Sequence, residues 1–146
     1  MKKVAYVQSG WHTEITDACK EAFVAELKKH GYDRDGIEFF SAPGSLEIPL
    51  MAKKLASTGK YAAVCASGLV VDGGIYRHEF VAQAVLQGIV QASLETGVPI
   101  LSAVLTPHHF HEHAVHHDFF RTHMVTKGQE LAHACRSIIA NLAAVA

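Results

Sequence analysis

Four stretches of this chain combine residue types that can bind or react. Trp11, the only tryptophan, follows a glycine, and an indole offers a flat apolar face on which a heteroaromatic ring can stack. Its plainer use is as a lid over helix ends. In Pro43-Gly44-Ser45-Leu46-Glu47 the chain breaks into a helix start. Free backbone N–H groups and the Ser45 hydroxyl can bind oxygens there, and Glu47 can accept from hydroxyls. A simple helix cap would use the same residues. In Asp72-Gly73-Gly74-Ile75-Tyr76-Arg77-His78, glycines allow close backbone approach and the following helix N-terminus favours an anion. Arg77 can grip phosphate with two parallel N–H groups, and His78 can move protons near neutral pH. No Gly-Lys-Ser/Thr follows, so this is not a Walker loop.

The fourth stretch holds six histidines in ten positions, from His108 to His117. Imidazole is a common zinc ligand, but His111-Glu112 is followed by His113-Ala114-Val115, so an HExxH pattern fails at its last position. No cysteine lies nearby. An anion-binding or solvent-facing helix start is the plainer reading, and no dedicated metal is expected.

The elements that must carry these loops follow from hydrophobic period. Val4–Val7, Ile37–Phe40, Tyr61–Ala66 and Pro99–Leu105 are short apolar runs that read as buried strands. Between them, Ile15, Ala18/Cys19, Ala22/Phe23 and Leu27 recur at helical spacing until Gly31. Pro49 fits a helix's first turn, with Leu50, Ala52 and Leu55 facing a core until Gly59. A third helix over about 76–96 places Phe80, Val81, Ala84, Val85, Ile89 and Ala92 inward, with Gly97 as its stop. Leu131, Ala134, Cys135, Ile138 and Leu142 outline the last helix. The order β-α-β-α-β-α-β-α predicts an α/β fold, a three-layer αβα sandwich with a four-stranded parallel sheet flanked by helices. In such a sheet all four unusual loops follow strands and meet at one edge, where ligands bind.

A chain of 146 residues fits one domain spanning 1–146. With 49% hydrophobic and 18% charged residues, chain-wide disorder is excluded. Thirteen Lys+Arg against fourteen Asp+Glu supply no broad basic field, so neither nucleic acid nor an anionic membrane is an expected partner. No apolar run approaches the ~20 residues of a membrane span. The N-terminal run stops at Gln8, too short for a signal-peptide core. Three scattered cysteines, Cys19, Cys65 and Cys135, suit a reducing compartment. A soluble cytoplasmic protein is the expectation.

Taken together, Ser9-Gly10-Trp11-His12, the Pro43–Pro49 segment, Gly68–Val81 and Val104-Leu105-Thr106 resemble the lumazine synthases. The tail Thr106–His111 with Asp118-Phe119-Phe120 is similar to the type II branch of that family. The resemblance covers nearly the whole chain. It implies condensation of 5-amino-6-(D-ribitylamino)uracil with 3,4-dihydroxy-2-butanone 4-phosphate to 6,7-dimethyl-8-ribityllumazine, without metal or organic cofactor. It also implies small-molecule partners only, apart from self-assembly into pentamers, paired as decamers in type II members. By the same resemblance Trp11 stacks on the pyrimidinedione, and Ser45, Leu46 and Glu47 hold the ribityl hydroxyls. Leu69, Val70 and Val71 contact the uracil ring by backbone. Gly74 and Ile75 cradle phosphate with Arg77 nearby, His78 donates the proton, and Ser102 serves a neighbouring subunit's site.

Two departures stand out. The family's common pattern has one residue fewer before its catalytic histidine, so His78 and Arg77 both remain candidates for the proton-donor place. His78 is preferred, because arginine stays protonated. The family's phosphate-binding arginine is matched by His116, which is only partly charged at neutral pH. That weaker cation keeps a second reading open, a lumazine- or flavin-binding protein with little turnover. The histidine run alone supports a third, metal storage.

Overall fold

The computed structural model describes residues 2–71, 77–106 and 114–146, with the backbone alone over 114–117. Strands β1 (Lys3–Ser9), β2 (Ile37–Ala42), β3 (Tyr61–Leu69) and β4 (Ile100–Leu105) alternate with helices α1 (Thr13–Lys28), α2 (Ile48–Ala56), α3 (His78–Thr96) and α4 (Ala114–Val145). The strands form one sheet in the order β2-β1-β3-β4, and every pairing is parallel. This is the expected three-layer sandwich.

Both faces of the sheet are buried, which is why β1 and β3 read as continuous apolar runs rather than alternating ones. On one face Val4, Tyr6, Ala63 and Cys65 meet Ile15, Cys19, Phe23 and Leu27 of α1 and Met124, Leu131 and Cys135 of α4. On the other, Ala5, Val7, Val64 and Ala66 meet Ile48 and Ala52 of α2 and Val85, Ile89 and Ala92 of α3. The three cysteines are buried and unpaired. Gly97 closes α3 in the left-handed region, at φ 72°, and its N–H returns to the Ser93 carbonyl. Pro49 lies in the first turn of α2 as expected.

Several inward positions differ from expectation. Leu50, Phe80, Ala84, Ala134 and Leu142 are exposed. In α3 the buried stripe is Ala82, Val85, Ile89 and Ala92. That helix is apolar on nearly every side, so period alone could not select the inner face. Leu86, Val90 and Leu94 form a second, outward stripe at four-residue spacing. Strand β3 runs three residues past Ala66, and α4 is much longer than its apolar stretch. Phe39 and Phe40 lie on β2 as expected, packed against the two cores.

Helix α4 packs on α1 through the shared core and comes closest at Gly128 among the glycines. A Cβ added at Gly128 would lie 2.3 Å from the Cys19 carbonyl oxygen and 2.9 Å from Ala22 Cβ. Backbone cannot yield there as a side-chain tip can. Gly128→Ala should therefore cost at least about 1–3 kcal/mol, the usual penalty for overpacking. Urea unfolding should show a lower midpoint at unchanged slope. Native-like stability would mean that the two helices separate freely.

Candidate active site

Where a doubly wound sheet reverses direction, the loops on either side separate and leave a crevice at the strands' carboxyl ends. Here the reversal lies between β1, whose chain moves outward to β2, and β3, whose chain moves to β4. The loops that follow β1 and β2 meet beside it. The Gly10 N–H donates to the Ala42 carbonyl at 2.9 Å, continuing the β1–β2 ladder beyond the last paired residues. A Cβ on Gly10 would stand 3.2 Å from the Pro43 carbonyl oxygen, so the two loops touch backbone to backbone.

His12 then turns the chain sharply into α1. It is the one non-glycine with positive φ among the described residues, at φ 53° and ψ 48°. Its carbonyl accepts from the N–H groups of Ile15 and Thr16, which start the helix. The turn leaves Trp11 66% exposed above the second loop. There Gly44 has no side chain: a Cβ would be 3.1 Å from Glu47 Oε2 and 3.4 Å from Trp11 Nε1. The indole edge and the carboxylate thus converge on one bare backbone position. Ser45 is buried at the start of the short 3-10 turn Ser45–Glu47 that leads into α2, while Leu46 is exposed.

The third strand adds backbone rather than side chains. Leu69 and Val70 are buried and Val71 is half-buried, so their side chains belong to the cores. The Val70 N–H already donates to the Leu105 carbonyl at 2.8 Å. At the start of α3, Arg77 and His78 diverge. Arg77 is exposed, with Nη2 2.5 Å from Glu79 Oε1 and its guanidinium 5.7 Å from the Phe80 ring. His78 is inward, its side chain 14% exposed, with Nε2 3.3 Å from Glu79 Oε2. One carboxylate therefore contacts both candidates.

Ser102 stands apart, exposed on edge strand β4 three residues before its end, with its Oγ accepting from the Val104 N–H at 3.0 Å. Gly74 and Ile75 lie outside the described residues. So do His108–His113, and the His116 side chain, although the His116 backbone falls in the first turn of α4. Among the described residues no group of three or more His, Cys, Asp or Glu is placed to hold a metal ion. No described helix is long and apolar enough to cross a membrane.

Two residues without an assigned role also reach this edge. Ser9 and Gly68 sit at the reversal, with the Ser9 hydroxyl buried beside the glycine. The signal for them in the sequence is slight: a small polar residue ends one apolar strand, and a serine-glycine pair interrupts another.

The family model for 6,7-dimethyl-8-ribityllumazine synthase matches residues 1–143. A 6,7-dimethyl-8-ribityllumazine synthase of Rhodococcus erythropolis is 50% identical over 144 residues, which is 99% of this chain and 93% of the relative. A 6,7-dimethyl-8-ribityllumazine synthase 2 of Pseudomonas syringae pv. tomato is 52% identical over 134 residues, covering 92% and 79%. Another synthase 2, from Bradyrhizobium diazoefficiens, is 48% identical over 141 residues, covering 97% and 84%. This chain belongs to the 6,7-dimethyl-8-ribityllumazine synthase family.

Proposed function

We propose that this chain, as a single synthase domain, condenses 5-amino-6-(D-ribitylamino)uracil with 3,4-dihydroxy-2-butanone 4-phosphate to 6,7-dimethyl-8-ribityllumazine, the penultimate step of riboflavin biosynthesis. The observation that carries this reading is the convergence of Trp11 and Glu47 on Gly44, in a chain that matches the synthase family over residues 1–143. A carrier with little turnover is the less favoured reading, since relatives that span nearly the whole chain are named synthases.

The reaction forms an imine between the uracil amine and the ketone, expels phosphate, closes the ring and loses water. Most of this work is orientation and proton traffic. Trp11 stacks on the pyrimidinedione, while Ser45, Glu47 and the Leu46 backbone hold the ribityl hydroxyls. Leu69, Val70 and Val71 line the ring by backbone, through groups other than the Val70 N–H, which is engaged. His78 serves as proton donor; its inward side chain, against the outward Arg77, supports that choice. Gly74, Ile75 and His116 take the phosphate, with Arg77 adding field from outside.

The assembly is a pentamer, paired as a decamer, with Ser102 completing a neighbour's site. The exposed stripe Leu86, Val90 and Leu94, with Leu50 and Phe80 also exposed, supports self-association. The cytoplasm suits three buried thiols that form no disulfide.

Steady-state formation of the lumazine from both substrates tests the function. Trp11→Ala should raise KM for the aminouracil about tenfold or more, from the loss of ~1–3 kcal/mol of stacking, and leave KM for the butanone phosphate nearly unchanged. Equal effects on both substrates would remove the stacking role, and absence of product in the native protein would remove the synthase reading.

Light scattering should report five or ten subunits. Leu94→Glu in the exposed stripe should dissociate them and abolish turnover, and an active monomer would defeat the shared site.

A histidine near its ordinary pKa of about 6.5 loses charge across the working range, whereas arginine does not. Affinity for the butanone phosphate should therefore fall as pH rises through the His116 pKa of the complex. His116→Arg should flatten that profile once the substrate's own ionisation is corrected. Identical corrected profiles would place His116 outside the phosphate site.

A further inference from the structure

Ser9 is the last residue of β1, and its side chain lies on the sheet face covered by α2 and α3, in step with Ala5 and Val7. It is 1% exposed, and its hydroxyl oxygen has no hydrogen-bond partner among the described residues. Folding a hydroxyl into that position strips its water without replacing it, a cost that natural cores seldom carry without use. The surroundings indicate the use. A Cβ built on Gly68 would lie 2.9 Å from Ser9 Oγ and 2.8 Å from Ser45 Oγ. Two hydroxyls from separate loops thus approach the same bare stretch of β3, at the reversal point of the sheet. Any side chain at position 68 would crowd both hydroxyls.

We propose that Ser9 is a positioning residue for Ser45. When a hydroxyl of the ribityl chain reaches Ser45, the Ser45 side chain turns so that its oxygen accepts from the Ser9 O–H. Its own proton then points to the ligand oxygen. Three hydroxyls form a chain, Ser9 to Ser45 to ligand, in which each bond polarises the next. A hydroxyl alone could turn either way, as donor or acceptor. The buried partner behind Ser45 fixes it as a donor toward the polyol. The absence of a side chain at Gly68 leaves the space in which the two hydroxyls can meet. The inference rests on the reading that Ser45 binds the ribityl hydroxyls, and the experiment separates the two.

KM for each substrate would be measured in native protein, Ser9→Ala, Ser45→Ala and the double variant, together with thermal unfolding of each unliganded protein. Ser9→Ala removes one unpartnered oxygen, so its unfolding midpoint should be unchanged or higher. Its KM for the aminouracil should rise about tenfold, with KM for the butanone phosphate unmoved. In the double variant the increase should match that of Ser45→Ala alone, because Ser9 acts only through Ser45. If Ser45→Ala raises KM for the aminouracil and Ser9→Ala does not, the relay fails while the polyol site stands. Multiplying effects in the double variant would make the two residues independent and overturn the positioning role. A lower unfolding midpoint with both KM values raised alike would make Ser9 merely structural. Native behaviour in Ser45→Ala would overturn the polyol reading and the relay with it.

Discussion

Four parallel strands with helices on both faces offer a ligand very little: the faces are core and only the strand ends are open. All polar chemistry is therefore pressed onto one edge, and the sheet order decides where on that edge it gathers. Because β1 sits between β2 and β3, its loop is central, and the loop after β2 meets it there. The Gly10 N–H bonded to the Ala42 carbonyl shows how this is done, by prolonging the ladder past the end of the strands. The left-handed turn at His12 then leads straight into α1. A non-glycine residue in that region costs about 1–3 kcal/mol, which the packed start of α1 has to offset. The first two loops of the edge thus meet through backbone.

Within this frame the site is defined as much by missing atoms as by present ones. Gly44 and Gly68 are both in places where a Cβ would strike side chains rather than backbone. At Gly44 the gap admits the indole edge and a carboxylate; at Gly68 it admits two hydroxyls. Contrast Gly128, where the neighbour is the Cys19 carbonyl and the purpose is to seat α4 on α1. The same residue type serves chemistry where loops converge and packing where helices cross.

How much of this was legible depends on what hydrophobic period records. It reported the four strands and their places along the chain well, because Val4–Val7 and Tyr61–Ala66 are apolar throughout and could only be buried. It failed on α3, whose Phe80 and Ala84 belong to the outer side, since Leu86, Val90 and Leu94 make that side apolar too. It gave no outline for the first half of α4, where histidine and phenylalanine pairs are interrupted by charged and polar residues. The loops were legible as chemistry because Trp11, Glu47, Arg77 and His78 are unusual next to strands. Ser9 and Gly68 were not. A small polar residue at a strand end reads as the start of a loop, and only the three-dimensional placement shows that Ser9 is buried beside a second hydroxyl.

The failure at α3 has a bearing on the proposed assembly. A helix that served only its own subunit would have one apolar stripe, whereas α3 has two, set on different sides. The inner one seals the sheet against which Ser9 and Ser45 lie. In the proposed assembly the outer one meets a second copy, and α3 begins at His78 with Arg77 as its N-cap, the residues proposed to act on proton and phosphate. Ser102 follows one strand later, exposed on the sheet's edge away from the Trp11 loop. Association through the outer stripe would thus hold the helix that leads from the catalytic candidates. In this scheme one helix has catalytic candidates at its start and the seam between subunits along its outer face.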